Sequence, residues 1–348
     1  MPDRLARLLR WRPSPTAVRR AFLAALVTNA GIVVTGGAVR LTASGLGCPN
    51  VPKCTDTSLV PTAEMGAHGV IEFGNRLLTF VLAAAVAAAL VTAWRARRRD
   101  LVTVALLLFV GILAQALLGA VTVVTGLNPV TVMAHFLLSM VLIAVAVHGL
   151  ERATEHTREQ PLREAPAVRP EIVLGGRALL GVVAATLVAG TVVTGTGPHS
   201  GDKDATDRLP FDLATVTQVH ADLVFLLLGL AIGLLVALRA TTAPAALVRR
   251  AVVLLAVVLA QGTIGYVQYA TDLPVLLVGA HVLGATLVWI AALRVVLGMS
   301  GRPGQLRSEG QQRVERDRDE QQAEIADRPV EQPHRPQRGA GVARPSSR

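Results

Sequence analysis

AQALLGAVTVVTGLNPVTVMAH, residues 114–135, recurs 146 residues later as AQGTIGYVQYATDLPVLLVGAH, residues 260–281. Nine of the 22 aligned positions are identical, among them Gln115 and Gln261, Gly119 and Gly265, and His135 and His281. Self-similarity at a fixed distance marks a duplicated structural unit. Each copy covers the end of one long apolar run and the start of the next, so the repeating unit holds several helices. A second echo lies upstream, GIVVTGGA at 31–38 against GTVVTGTG at 190–197.

Around these stretches, eight apolar runs stand near 21–40, 67–94, 101–125, 130–149, 177–196, 214–238, 250–270 and 275–297. About twenty apolar residues in a helix span the hydrocarbon core. Only helices and closed barrels satisfy the backbone there, and long runs without alternation are helices. The first run is too long for a removable leader and no small-residue cleavage site precedes a soluble domain. Of the 348 residues 52% are hydrophobic and 17% charged, where a soluble domain carries about 25% charged. The expected fold is an all-α membrane protein whose eight transmembrane helices form two tandem, pseudo-symmetric four-helix bundles, 21–150 and 177–297, joined by a linker at 151–176. Four helices precede each equivalent point, so the repeat is parallel, about an axis along the membrane normal. Residues 1–20 form a cytoplasmic segment. Residues 298–348, rich in Arg, Glu, Gln and Pro, cannot bury a core and read as a disordered cytoplasmic tail.

The formal net charge is +10, which alone would fit a nucleic-acid binder. Its distribution points elsewhere. Arg4, Arg7, Arg10, Arg12, Arg19 and Arg20 precede the first run. Arg95, Arg97, Arg98 and Arg99 join the second to the third; Arg152, Arg158, Arg163, Arg169 and Arg177 join the fourth to the fifth; Arg239, Arg249 and Arg250 join the sixth to the seventh. The opposite loops hold Arg40, Lys53, Lys203 and Arg208. The positive-inside rule then places both termini in the cytoplasm of a plasma-membrane protein. Anionic lipid, not nucleic acid, is the expected partner of the basic side.

Eight histidines are present. His156 and His334 fall in polar segments and His148 at the cytoplasmic end of the fourth run, where solvent or the interface accounts for them. His68, His135, His199, His220 and His281 lie in or near the outer half. His220 and His281 each sit about six residues, or ~9 Å, inside the outer ends of the sixth and eighth runs. Two imidazoles at one depth on facing helices of a bundle suit a haem iron gripped from both faces. A lone intramembrane histidine would more simply make a helix–helix hydrogen bond. In the first half His135 repeats His281, but the position matching His220, at an offset near 145, is Asn75, a poor iron ligand. One fully equipped bundle beside a half-equipped one suggests a fixed electron carrier in the second half and, in the first, a haem that is bound, altered and released.

Glu72 lies one turn inside the second run, with Arg76 at i+4 and His68 at i−4. Ionisable groups at membrane depth default to function, here as proton acceptor or stabiliser of positive charge beside the substrate haem. The plainer alternative is a Glu72–Arg76 helix pair. His68 would hydrogen-bond Glu72 or serve as a substitute ligand. Arg40 and Arg76 are candidates for haem propionates, with snorkelling to headgroups the alternative for Arg40. Cys48 and Cys54, in CPNVPKC, are the only cysteines and fall in an extracytoplasmic loop, where a disulfide is permitted. A structural staple and a redox-active pair both fit.

GGAVRLTASGLGCP at 36–49, IEFGNRLLT at 71–79, VVTGTGPHSGD at 192–202 and GAHVLG at 279–284 resemble the haem A synthase family, over roughly residues 20–297. The resemblance implies a haem b cofactor held by His220 and His281. It implies haem O as substrate in the first half, oxidised at its C8 methyl through alcohol and hydrated-aldehyde stages to the formyl of haem A for terminal oxidases. The family's essential glutamate maps to Glu72, its helix 4 histidine to His135, and its cysteine pair to Cys48 and Cys54. The family pattern often has a histidine three residues after the glutamate, where this chain has Asn75. Either His135 then works alone, with a transient second ligand, or His68 contributes. A haem O synthase and an electron-transfer partner are implied, and self-association is compatible with the pattern. Two rivals remain: a b-type cytochrome electron-transfer subunit without chemistry of its own, and a transporter built on the same kind of repeat.

Overall fold

Ser14 opens the first helix. Its side chain accepts a hydrogen bond from Ala17 N at 3.2 Å, and Pro15 follows at the first helical position, where a missing N–H does no harm. The helix therefore begins at Pro15, earlier than hydropathy alone places it. In this computed structural model, which describes residues 12–155, 168–199, 201–203 and 205–299, the long helices are α1 (Pro15–Leu41), α2 (Gly66–Arg95), α3 (Arg99–Val124), α4 (Pro129–Glu155), α5 (Pro170–Thr196), α6 (Leu213–Ala240), α7 (Ala245–Ala270) and α8 (Val275–Met299). A 3-10 turn, Ala63–Met65, leads into α2. No strand occurs among the described residues. All eight helices are long and apolar enough to cross a membrane, and the protein is a multi-pass membrane protein.

α4 runs on to Glu155 and α5 starts at Pro170, so the expected 151–176 linker is helical at both of its ends. The reason is that hydropathy marks only the part of a helix matched to hydrocarbon. Polar turns such as Glu151–Arg152 continue the helix beyond it. Residues 156–167, with His156, Arg158 and Arg163, lie outside the described residues, as do 1–11 and 300–348, with Arg4, Arg7, Arg10 and His334.

Within the first four helices the contacts run α1–α2, α2–α3, α3–α4 and back from α4 to α1. Within the last four they run α5–α6, α6–α7, α7–α8 and α8 to α5. Across the two sets, α4 meets α5, α1 meets α8, and α4 meets α8. Lipid tails are as apolar as leucine, so close packing at small residues, rather than hydrophobicity, brings such helices together. Gly149 of α4 faces the fully buried Phe22 of α1, and a Cβ there would come within 2.6 Å of its ring. Outward, Phe80, Leu117 and Leu276 are 72%, 69% and 86% exposed, an apolar surface that belongs against lipid.

Each end of the molecule has polar ties. At the arginine-rich face Glu151 of α4 pairs with Arg250 of α7 at 2.6 Å and Arg294 of α8 at 2.8 Å. Deeper in, Trp289 Nε1 of α8 donates to Met140 O of α4 at 2.8 Å. At the opposite, disulfide-bearing face the α1–α2 and α5–α6 connections meet. Gly45 N donates to Gly201 O at 2.9 Å, and Leu46 N to Asp202 Oδ2 at 3.3 Å.

Candidate functional site

His220 on α6 and His281 on α8 face each other, their ring centroids 6.4 Å apart and their planes at 64°. Two nitrogen–metal bonds of ~2 Å each, plus the two ring radii, put the centroids of a bis-imidazole pair ~6 Å apart. Nδ1 of each ring is buried without a hydrogen-bond partner. Each ring also rests on a glycine of a neighbouring helix. A Cβ at Gly190 of α5 would lie 3.1 Å from His220 Cε1, and one at Gly265 of α7 3.2 Å from His281 Cε1. Gln261 Nε2 of α7 donates to His281 O at 2.9 Å, pinning α8 at the level of its histidine. Among the described residues no three His, Cys, Asp or Glu side chains converge to hold a bare metal ion. Two imidazoles suffice where a porphyrin supplies the other four donors, so the residues present fit a haem.

The first half repeats part of this. His135 of α4 rests on Gly119 of α3, where a Cβ would lie 3.2 Å from its Cε1. Gln115 Nε2 donates to His135 O at 3.0 Å and to Ser139 Oγ at 2.7 Å. His135 Nδ1 is buried and unpartnered. On α2, Asn75 Oδ1 accepts a hydrogen bond from Thr35 of α1 at 2.8 Å. His68, in the first turn of α2, is exposed and bonded through Nδ1 to Ser44 Oγ of the preceding loop at 2.9 Å. It does not bond Glu72.

Glu72 is 5% exposed. Its Oε1 pairs with Arg76 Nη2 at 2.5 Å, the pairing that the i,i+4 spacing allowed. Its Oε2 accepts the backbone N–H of Cys48. Arg76 Nη2 also donates to Cys48 O at 2.7 Å, and Nη1 to Asn50 O at 2.9 Å and Lys53 O at 3.4 Å. Cys48 and Cys54 are joined in a disulfide. The closed loop 48–54 is therefore docked on α2 through both charged side chains.

Arg40, at the end of α1, donates from Nη2 to Thr194 O of α5 at 2.9 Å, while its Nε is buried without a partner. His199 lies near it; partial burial and the positive charge of Arg40 hold its imidazole below the usual histidine range. His148 is exposed on α4, as expected of an interfacial residue.

Residues 19–199 match the family model described as cytochrome oxidase assembly protein. The chain belongs to that family. Arg40, Cys48, Cys54, Glu72, Arg76 and His135 fall inside the matched stretch; His220 and His281 lie beyond it and rest on their own geometry. Among relatives of this chain, the heme A synthase of Geobacillus kaustophilus is 36% identical over 139 residues, 38% of this chain and 42% of that protein. The heme A synthase of Lysinibacillus sphaericus is 33% identical over 130 residues, 36% of this chain and 42% of the relative. That of Bacillus cereus is 33% identical over 119 residues, 33% and 38% of the two chains. The matches thus span about two fifths of the length of these relatives.

Several of these partners escape a reading of the sequence. Thr35, Ser44 and Gly190 carry no distinctive spacing of their own. The available signal for Gly190 is the GIVVTGGA/GTVVTGTG echo, in which Gly31 and Gly190 correspond.

Proposed function

We propose that this member of the cytochrome oxidase assembly protein family is a haem A synthase, oxidising the C8 methyl of haem O to a formyl group. The observation that carries the reading is the His220–His281 pair, two facing imidazoles at the spacing a single iron requires. The relatives named heme A synthase support it. We read the matching neighbour relations of α1–α4 and α5–α8 as two tandem bundles, one haem to each, spanning 21–150 and 177–297. The arginine asymmetry orients both termini to the cytoplasm of a plasma-membrane protein.

His220 and His281 hold haem b in the second bundle, and Gly190 and Gly265 leave their rings room to stand over it. Haem b supplies one-electron transfer when bound there. His135 binds the iron of the substrate, haem O, in the first bundle. Methyl to alcohol and alcohol to hydrated aldehyde each remove two electrons and two protons and add the oxygen of one water, the electrons leaving to an external acceptor through the electron-transfer partner; loss of water then gives the formyl. As the methyl carbon becomes electron-poor, the Glu72 carboxylate stabilises positive charge or accepts the proton. Arg76 and the Cys48 N–H hold that carboxylate in place. Both Nη atoms of Arg76 are committed to the loop and Glu72. Arg40, with its unpartnered Nε, is thus the better placed cation for a propionate. A haem O synthase as supplier of substrate and an electron-transfer partner complete the proposal.

The test is chromatography of the haems extracted from protein purified out of cells that also make haem O. Haem b together with haem O or haem A is the expected result. Haem b alone would reduce the chain to an electron-transfer cytochrome. His220→Ala and His281→Ala should each abolish a low-spin bis-imidazole spectrum; its survival in both would remove the assignment.

A further inference from the structure

Resting on the reading of the first bundle as the substrate-haem site, we propose that Asn75 is a hydrogen-bond donor facing an open sixth position of the haem O iron, opposite His135. It takes the place of an axial ligand without acting as one.

Four observations converge. First, Asn75 stands where His220 stands in the other half. On the neighbouring helix the two differ: the His220 ring rests on Gly190 of α5, 3.1 Å from an added Cβ, whereas the repeat counterpart Gly31 meets nothing within 4 Å and the Asn75 amide lies by Gly36 of α1, with 3.9 Å from an added Cβ to Nδ2. The opposing histidines do match, each on a glycine at 3.2 Å and each with its carbonyl held by a glutamine. The first site therefore repeats the histidine side of the second and sets an amide, less tightly packed, at the repeat position of the other imidazole.

Second, the amide cannot do the work of the imidazole. Its nitrogen lone pair is delocalised into the carbonyl, so Nδ2 donates and does not coordinate. Its end also lies one bond nearer the backbone than an imidazole Nε2. Space for a small exogenous ligand is left on that side of the iron.

Third, the amide is oriented. Thr35 Oγ1 lies 2.8 Å from Asn75 Oδ1 and 3.2 Å from both Gly31 O and Ile32 O. Its proton goes to the nearest acceptor, which fixes Oδ1 toward α1. Nδ2 makes no hydrogen bond among the described residues and keeps both protons for a ligand. A donor over the distal face is what governs the handling of a small ligand by a haem with one protein ligand.

Fourth, the other candidate ligand is elsewhere. His68 is exposed, held by Ser44, and seven residues from Asn75, ~10 Å along the helix. It cannot reach an iron at the level of Asn75 while α2 stays helical. Thr35 is accordingly a positioning residue, and Asn75 the group that touches the ligand.

The probe is carbon monoxide, added to reduced protein whose bound haems have been identified by extraction. Wild type should bind it at the haem O or haem A iron, while haem b stays low-spin and reports an intact fold. Asn75→Leu removes the donor at similar volume. It should raise the C–O stretching frequency and speed carbon monoxide release ~5-fold, the worth of one neutral hydrogen bond. Thr35→Val should shift the band in the same direction by less, since it only frees the amide to turn. Asn75→His should fill the position, turning the substrate haem low-spin and abolishing carbon monoxide binding. A chain that contains haem O or haem A but refuses carbon monoxide overturns the proposal. So does a set of variants whose band and spin state all equal wild type. Extracts holding haem b alone in every variant would instead sink the synthase reading, and this inference with it.

Discussion

Glycines beneath imidazoles set the tolerance of both sites. A Cβ at Gly190 or Gly265 would come within 3.1 or 3.2 Å of a histidine Cε1, closer than a relaxed carbon contact. The ring or the helix must then give way. Overpacking of this kind costs about 1–3 kcal/mol, so Gly190→Ala should weaken haem b retention roughly tenfold or more while leaving the helices intact. Titrating haem into the extracted protein, followed at the haem b absorption band, checks it. Glu72 makes a different demand. Glu72→Gln keeps the size of the side chain but removes its charge, so haem b should be untouched and haem A output should fall at least tenfold. Unchanged output, read by haem chromatography, would leave Glu72 a structural partner of Arg76 and the Cys48 N–H. At this scale the sequence showed which residues are chemically able, because histidine, glutamate and their spacing are visible in one dimension. It could not show what holds them. Thr35 is forty positions from Asn75 and Ser44 twenty-four from His68, and such pairs depend on how each helix is rotated about its own axis.

The helices themselves were legible to within a few residues wherever the apolar run and the helix share an end, as at Ala245–Ala270 and Val275–Met299. They were misjudged at Pro15, Glu155 and Pro170, where polar turns extend past the apolar run; at Pro15 the Ser14 cap marks the start. The α1–α2 connection was harder still. Its cysteines announce a disulfide, but nothing in CPNVPKC says that Arg76 gathers the carbonyls of Cys48, Asn50 and Lys53. A guanidinium makes that fork and an ammonium does not. Arg76→Lys should therefore release loop 48–54 from α2 while the disulfide stays closed. Faster amide hydrogen exchange across 48–54 in the variant, with an unchanged haem b spectrum, is the expected outcome. Equal exchange would show that the disulfide alone holds the loop. Cys48→Ser asks the complementary question. If docking through Arg76 and Glu72 is sufficient, activity should survive loss of the disulfide; a severe defect would show that the pair is a needed staple or takes part in redox chemistry.

The sequence repeat was visible from the start, yet how the two halves meet was not: a Cβ at Gly37 would meet Val282 and one at Gly195 would meet Pro129, and the polar ties between the halves fall on positions that the repeat does not share. Ile143 stands at the repeat position of Trp289, so the hydrogen bond from Trp289 to Met140 O has no counterpart in the other half. Glu151 reaches both Arg250 and Arg294, tying α4 to α7 and α8 at the arginine-rich face. On the proposed arrangement of one haem to each bundle, electron passage between them needs their separation fixed, and these ties would then bear on function as well as stability. Glu151→Gln leaves Arg250 and Arg294 without their carboxylate. Its side chain is 15% exposed and its partners are 21% and 47% exposed. The loss should thus fall between those of surface and buried pairs, about 1–3 kcal/mol. Asp100→Asn supplies the control, since Asp100 pairs with Arg98 and Arg152 inside the first half. Melting followed at once by helical circular dichroism and by haem b absorbance separates the cases. Glu151→Gln should lower the transition and pull the two signals apart as the halves uncouple. Asp100→Asn should lower the helical signal while haem b, whose proposed ligands are on α6 and α8, melts as in wild type. Identical behaviour of the two variants would mean that the carboxylate of α4 steadies its own bundle and does not join the two.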